Sequence, residues 1–154
     1  MTLNDTLTIG NIICDATEIT SKKQVLEHIG HIACRCNEEL NYVEVIQALI
    51  QRERIGSTAL GHGVAIPHAR INHIDKLIVC LITTHTAINF YEDETVAVDI
   101  IFGILAPSNA NEQQLGILAD IAKRLQHKSY RDGLRQAVTV DALYTAALCQ
   151  PEEK

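Results

Sequence analysis

One stretch of this chain concentrates side chains able to handle a phosphoryl group: Arg52, Glu53, Arg54 and Ile55, followed by GSTALGHGVAIPHAR from Gly56 to Arg70. Neutral imidazole is a nucleophile near physiological pH, and a phosphorylated imidazole is labile enough to pass its group onward. His68 is the candidate nucleophile because of what precedes it. Pro67 has a fixed φ and no N–H, and it biases Ile66 towards extended geometry, so a strand through Val64 to Ile66 should stop there and present His68 at its end. Gly61 and Gly63 permit a tight backbone path beside it. Arg52 offers a planar cationic fork suited to phosphate oxygens and would stabilise charge on them during transfer. The hydroxyls of Ser57 and Thr58 either orient the ring or bind the phosphoryl group, or else cap the turn after the preceding helix. No metal and no cofactor is required. The Gly-His-Gly run lacks the GxxxxGK[ST] pattern and the strand-to-helix setting of a nucleotide site.

Elements on either side have to hold these residues. Ser21 reads as the N-cap of a helix running to about Cys34, and Asn41 as the cap of a second from Tyr42 to about Arg54, with Gly56 ending the helical pattern. Val25, Leu26, Ile29, Ile32, Ala33 and Cys36 form an apolar stripe at helical spacing, which places Cys36 in the core and sends His28, His31 and Cys34 elsewhere. Residues Ala59 to Ala65, Leu77 to Thr84 and Val96 to Leu105 are rich in Val and Ile and read as strands, the last two apolar enough to be buried on both faces. Leu115, Leu118, Ile121, Ala122 and Leu125 mark an amphipathic helix from Asn111 to Gln126, and two short helices follow near Arg131 to Ala137 and Val140 to Leu148. Helices before, between and after strands predict an α/β layered domain.

At 154 residues, 47% of them hydrophobic, the chain suffices for one domain with one substantial core. A formal net charge of −6 without any cluster of Lys and Arg argues against nucleic acid and suits a basic protein partner. No cationic region precedes an apolar core at the amino terminus, and no apolar run approaches the ~20 residues of a membrane span, so a soluble, cytoplasmic protein without membrane insertion is expected. Cys14, Cys34, Cys36, Cys80 and Cys149 are odd in number and irregular in spacing, which reads as free thiols in a reducing compartment. His28, His31, Cys34 and Cys36 are zinc-ligand types, but the helical stripe separates them, and no metal site is expected.

The stretch ending at Ala69 closely resembles the active-site signature of the fructose, mannitol and nitrogen class of IIA domains in the phosphoenolpyruvate-dependent phosphotransferase system. Glu53 stands seven positions ahead of Leu60-Gly61, and Val64, Ala65, Ile66, Pro67, His68 and Ala69 complete the pattern. Similarity continues through the Ser21 to Cys36 helix, VDIIFGILAPS and the LADIAKRL helix, and covers roughly residues 5 to 149. The resemblance implies a single three-layer α/β domain, with a mixed sheet flanked by helices on both faces. It implies phosphorylation of His68 beside an active-site Arg52. The donor it implies is a histidine-containing phosphocarrier protein, itself charged from phosphoenolpyruvate through enzyme I. The RERIGST run from Arg52 and the Ala122 to Leu125 run look most like the nitrogen-regulatory branch, whose members contact regulatory target proteins according to phosphorylation state. On this reading the chain is an intermediate of phosphoryl transfer rather than a stand-alone turnover enzyme.

Two positions depart from the family pattern. Members usually carry a second histidine near the start of the helix after the last long strand, where this chain has Gln114, able to donate a hydrogen bond but not to become cationic. His62 stands where nitrogen-type members have Asn. It is expected to supply, from the glycine loop, the cationic donor that Gln114 lacks, the alternative being an exposed loop residue. Two further functional readings stay open: a sugar-branch component passing phosphate to a separate IIB protein, and a binding module that has lost phosphotransfer. A hydrolase is disfavoured, since no water-activating motif surrounds Glu53.

Overall fold

In chain order the computed structural model, which describes residues 2–90 and 96–151, contains α1 (Leu3–Thr6), β1 (Ile12–Ala16), α2 (Lys22–Cys36), α3 (Tyr42–Ile55), β2 (Ala59–Gly61), β3 (Val64–Ala65), β4 (His68–Ile71), β5 (Ile78–Asn89), β6 (Ala97–Pro107), α4 (Glu112–Leu125), α5 (Lys128–Gln136) and α6 (Val140–Leu148). Local side-chain chemistry starts several of these helices. Ser21, Asn41 and Asn111 each accept a hydrogen bond from the backbone N–H three residues on, at 3.2, 3.2 and 2.8 Å, which satisfies donors that a helix start otherwise leaves open.

The sheet runs β1-β5-β6-β3-β2, with β4 also on β6. It is mixed: β5 and β6 pair antiparallel, as do β2 and β3, whereas β1 on β5 and β3 and β4 on β6 are parallel. Successive residues of a strand point to opposite faces. Val79 and Leu81 therefore join one core with α1, α4, α5 and α6, while Cys80 and Ile82 join the other with α2 and α3. Helices cover both faces, which is why β5 and β6 read as unbroken apolar runs rather than alternating ones. At the sheet centre Gly103 is a matter of space, since a Cβ there would lie 2.6 Å from Cys80 Sγ and 2.9 Å from the Ile29 side chain. Burial pushes the Cys80 thiol up to about 12, so it packs as a neutral apolar group. Among the described residues no helix is long and apolar enough to cross a membrane.

In its secondary structure and burial the structure departs from the sequence reading at several points. The run from Ala59 to Ala65 is a hairpin, β2 and β3, because Gly61, His62 and Gly63 all take positive φ and reverse the chain. β1 and β4 were not foreseen as strands. Cys36 is exposed instead of buried: it is the last residue of α2, where the apolar stripe meets polar Asn11, with Sγ 3.3 Å from Asn11 Oδ1. Leu115 is 40% exposed and Ile117 is buried in its place, since the Asn111–Gln114 capping box sets the rotation of α4 with Gln114, Ile117 and Ile121 inward.

Candidate active site

β3 and β4 lie along the same edge of β6 in one register: Val64 faces Ile100, Ala65 faces Ile101, His68 faces Ile104 and Ala69 faces Leu105. Pairing thus resumes across Pro67 without a slip. A strand does stop ahead of Pro67, at Ala65, but His68 opens a new one, β4, instead of standing at a free strand end. The physical reason is that Pro67 forfeits only its own N–H, and its carbonyl still accepts from Ile104 N–H at 3.0 Å. The polar groups of Ile66 turn away from β6. Its N–H donates to the Thr58 carbonyl at 3.0 Å, and its carbonyl lies 2.7 Å from His68 Nδ1.

That last contact decides the state of the ring. A carbonyl oxygen can only accept, so Nδ1 carries the proton, and Nε2 of the neutral ring presents its lone pair. Arg52 Nε, which can only donate, lies 3.3 Å from Nε2. The guanidinium is anchored at its other side, Nη1 donating to the Gly56 carbonyl at 2.8 Å. Arg52 thereby satisfies an open carbonyl at the C-terminus of α3, where a cation is also favoured by the helix dipole. Arg52 and Ile55 on α3 and Gln114 and Leu115 on α4 border, with half-buried His68, an open cleft of about 480 Å³. Ile55 is 84% exposed at the rim of this cleft.

The remaining sequence candidates are placed as follows. Ser57 Oγ accepts from Ala59 N–H at 3.1 Å. Thr58 is 4% exposed, its hydroxyl donating to a Glu53 carboxylate oxygen and its N–H lying 3.4 Å from the other. Both hydroxyls therefore shape the turn after α3, and neither bonds His68. Gln114 lines the cleft, but its Oε1 accepts from Asn111 N–H at 3.1 Å and its Nε2 donates to the Asp75 carbonyl at 3.2 Å. One amide hydrogen is left to face the cleft.

His62 is placed apart from the ring. Four register positions along β6, from Ile100 to Ile104, separate Val64 from His68, roughly 13 Å, and His62 lies in the turn before Val64. It is exposed at the tip of the β2–β3 turn, where Arg135 holds its carbonyl and also pairs with Asp99, Nη2 to Oδ1 at 2.9 Å. Among the described residues no hydrogen bond joins the His62 side chain to His68 or Gln114, so the expected compensation gains no support from this placement. Asn tolerates the left-handed backbone that His62 adopts at φ +56°. His62→Asn should therefore leave both formation and hydrolysis of any phosphohistidine unchanged between pH 6 and 8, as read by the time course of acid-labile phosphate. Gly63 is the sensitive residue of that turn. Its φ is +79°, and a Cβ there would come within 2.4 Å of Arg135 Nη2 and 2.9 Å of Asp99 Oδ1. Gly63→Ala is expected to cost about 1–3 kcal/mol, seen as a midpoint drop of a few degrees in thermal unfolding.

Sequence reasoning passed over three parts of this site: the carbonyls of Ile66 and Gly56, which no side-chain pattern announces, and the structural partners of Glu53, whose signal was its place in the motif.

Comparison with known proteins identifies the family. A family model described as phosphoenolpyruvate-dependent sugar phosphotransferase system, EIIA 2, matches residues 5–147. The chain is 36% identical over 124 residues to a nitrogen regulatory protein of Pseudomonas aeruginosa, covering 80% of each chain. It is 32% identical over 151 residues to the nitrogen regulatory protein of Escherichia coli K12, covering 94% of this chain and 92% of that one. The crystal structure of nitrogen regulatory protein IIA-Ntr from Neisseria meningitidis superposes with a TM-score of 0.85 at 30% identity, over 94% of this chain and 98% of that one. A strand-borne histidine with its proton fixed on Nδ1, an arginine at Nε2 and this extent of likeness place the chain in the EIIA 2 family of the phosphoenolpyruvate-dependent sugar phosphotransferase system.

Proposed function

We propose that this protein is a phosphocarrier of the nitrogen-regulatory branch, which accepts a phosphoryl group on Nε2 of His68 from a histidine-containing phosphocarrier protein and signals by its phosphorylation state. The observation that carries the reading is the three-part alignment of the Ile66 carbonyl, the His68 ring and the Arg52 guanidinium at an open cleft. In the transfer step the Nε2 lone pair attacks phosphorus as the donor's N–P bond breaks, and the donor nitrogen keeps that electron pair. Arg52, already in contact with Nε2, is placed to move its N–H groups onto the phosphoryl oxygens as Nε2 is occupied. The proton stays on Nδ1, donated to the Ile66 carbonyl, throughout. Among the described residues no carboxylate lines the cleft, which fits a carrier that holds its phosphoryl group for a partner rather than hydrolysing it.

The apolar rim of Ile55 and Leu115 supports docking of a protein donor, since a transfer complex has to exclude water while remaining weak. Names of the relatives favour a regulatory target protein as the output. The test is incubation with phosphoenolpyruvate, enzyme I and the phosphocarrier, followed by detection of acid-labile phosphate. One phosphate per chain on His68 is the expected result, and none would leave the chain a binding module. Onward transfer to a purified IIB protein would instead identify a sugar-branch component.

A further inference from the structure

Glu53 follows Arg52 on α3 but points away from the cleft. Its side chain is only 6% exposed, and Lys22 Nζ lies 2.8 Å from Oε2. Both donors of Thr58, hydroxyl and N–H, are directed at the carboxylate, one to each oxygen. Lys22 is in turn fixed by the Phe90 carbonyl at 3.3 Å and by the Phe90 ring, whose centroid is 5.1 Å from Nζ. Beyond Thr58 the connection continues through backbone alone, from the Thr58 carbonyl to Ile66 N–H at 3.0 Å, and from the Ile66 carbonyl to His68 Nδ1 at 2.7 Å. The peptide that selects the tautomer of the reacting ring therefore hangs, through one residue, on a buried carboxylate.

We infer that Glu53 is a positioning residue for His68: through Thr58 it fixes the Ile66 carbonyl that holds the ring proton on Nδ1 and leaves Nε2 to react. The inference rests on the phosphocarrier reading for its kinetic consequence, though not for its spectroscopic one. Ile66 lies at the break in the β6 pairing made by Pro67, and neither of its polar groups is held by β6. The Thr58 carbonyl is the anchor on its N–H side. Thr58 in turn closes the turn after α3 against Glu53, which is tied to the start of α2 by Lys22. A carboxylate suits this place because it is acceptor-only and offers two oxygens to three donors. A carboxamide keeps the shape but brings one acceptor and two competing hydrogens.

The experiment compares wild type with Glu53→Gln, Thr58→Val and Thr58→Ser. In the unphosphorylated protein, ¹⁵N chemical shifts of the His68 ring report the tautomer. Wild type should show Nδ1–H and unprotonated Nε2, Glu53→Gln and Thr58→Val should show a mixture, and Thr58→Ser, which restores the hydroxyl, should return to the wild-type shifts. Hydrogen-bond partners that orient a metal-binding imidazole are commonly worth 10–100-fold, and an effect at the lower end is expected for a reacting one. Phosphorylation of Glu53→Gln at saturating donor should accordingly slow about tenfold, with the half-saturating donor concentration unchanged because the buried carboxylate cannot touch a partner. If Glu53 merely stabilises the fold, Glu53→Gln will unfold at lower temperature yet keep wild-type ring shifts and a wild-type saturated rate, and the inference is overturned. A wild-type protein that takes no phosphate would remove the phosphocarrier reading, while the ring shifts would still decide the role of Glu53.

Discussion

His68→Ala protein exposed to the charged phosphocarrier should carry no acid-labile phosphate at any time point, while unfolding only a few degrees below wild type. The chemical half follows from the site: the other polar side chains lining the cleft are Gln51, Arg52, Arg70 and Gln114, and neither a guanidinium nor a carboxamide is a nucleophile at neutral pH. The stability half follows from packing. His68 is half-buried, and its ring contributes one bond to the Ile66 carbonyl and one to Arg52. Losing a bond of this kind costs about 1 kcal/mol, or about 2–4 °C in a protein of this length. Phosphate remaining on the Ala variant would relocate the site. Collapse of its circular dichroism would instead show the ring to be a keystone of the fold, and His68→Gln would then be needed to separate the two roles.

The second large effect is expected at Arg52. Arg52→Ala removes the cation that meets Nε2 and should slow phosphoryl acceptance by about 10²–10³, the range seen when a donor aimed at developing charge is deleted. Arg52→Lys should recover little of this. The present geometry uses two separate edges of the guanidinium, Nε towards His68 and Nη1 towards the Gly56 carbonyl, and a single ammonium cannot occupy both places. Single-turnover rates with the charged phosphocarrier measure the effect. Near-wild-type rates for the Lys variant would mean that charge alone matters and that the fork geometry is incidental.

Much of this architecture was readable because it is written in neighbouring residues. Ser21, Asn41 and Asn111 cap helices through bonds spanning three positions, and such bonds depend on local chemistry. That Arg52 and His68 belong to one site was readable for a different reason, the density of the motif around Pro67-His68. What escaped depends on distant segments. β1 is five residues long and acquires meaning only beside β5, some seventy positions later. The distance between His62 and His68 is set by whether the intervening chain folds back or runs extended. Two glycines beside His62 are compatible with either outcome, and the extended run of β3 into β4 carries the two histidines apart. Glu53 was visible as a letter of the motif, but its ion-pair partner belongs to the preceding helix, and nothing in the spacing couples the two.

One further consequence belongs to the Ile66 carbonyl and concerns timing. With Nδ1–H already committed to a backbone acceptor, the nucleophilic nitrogen has no proton to shed before or during attack. A hydroxyl or thiol nucleophile has to lose a proton on the way to its product, and exchange into heavy water commonly slows such a step. Here heavy water should leave the rate of acceptance from the charged phosphocarrier nearly unchanged once the shift of the pH scale is allowed for. In a variant that frees the Ile66 carbonyl, a proton must first be relocated within the ring, and a sensitivity to deuterium should emerge. The isotope in the solvent thus becomes a clock for whether the imidazole waits in its reactive form or has to find it.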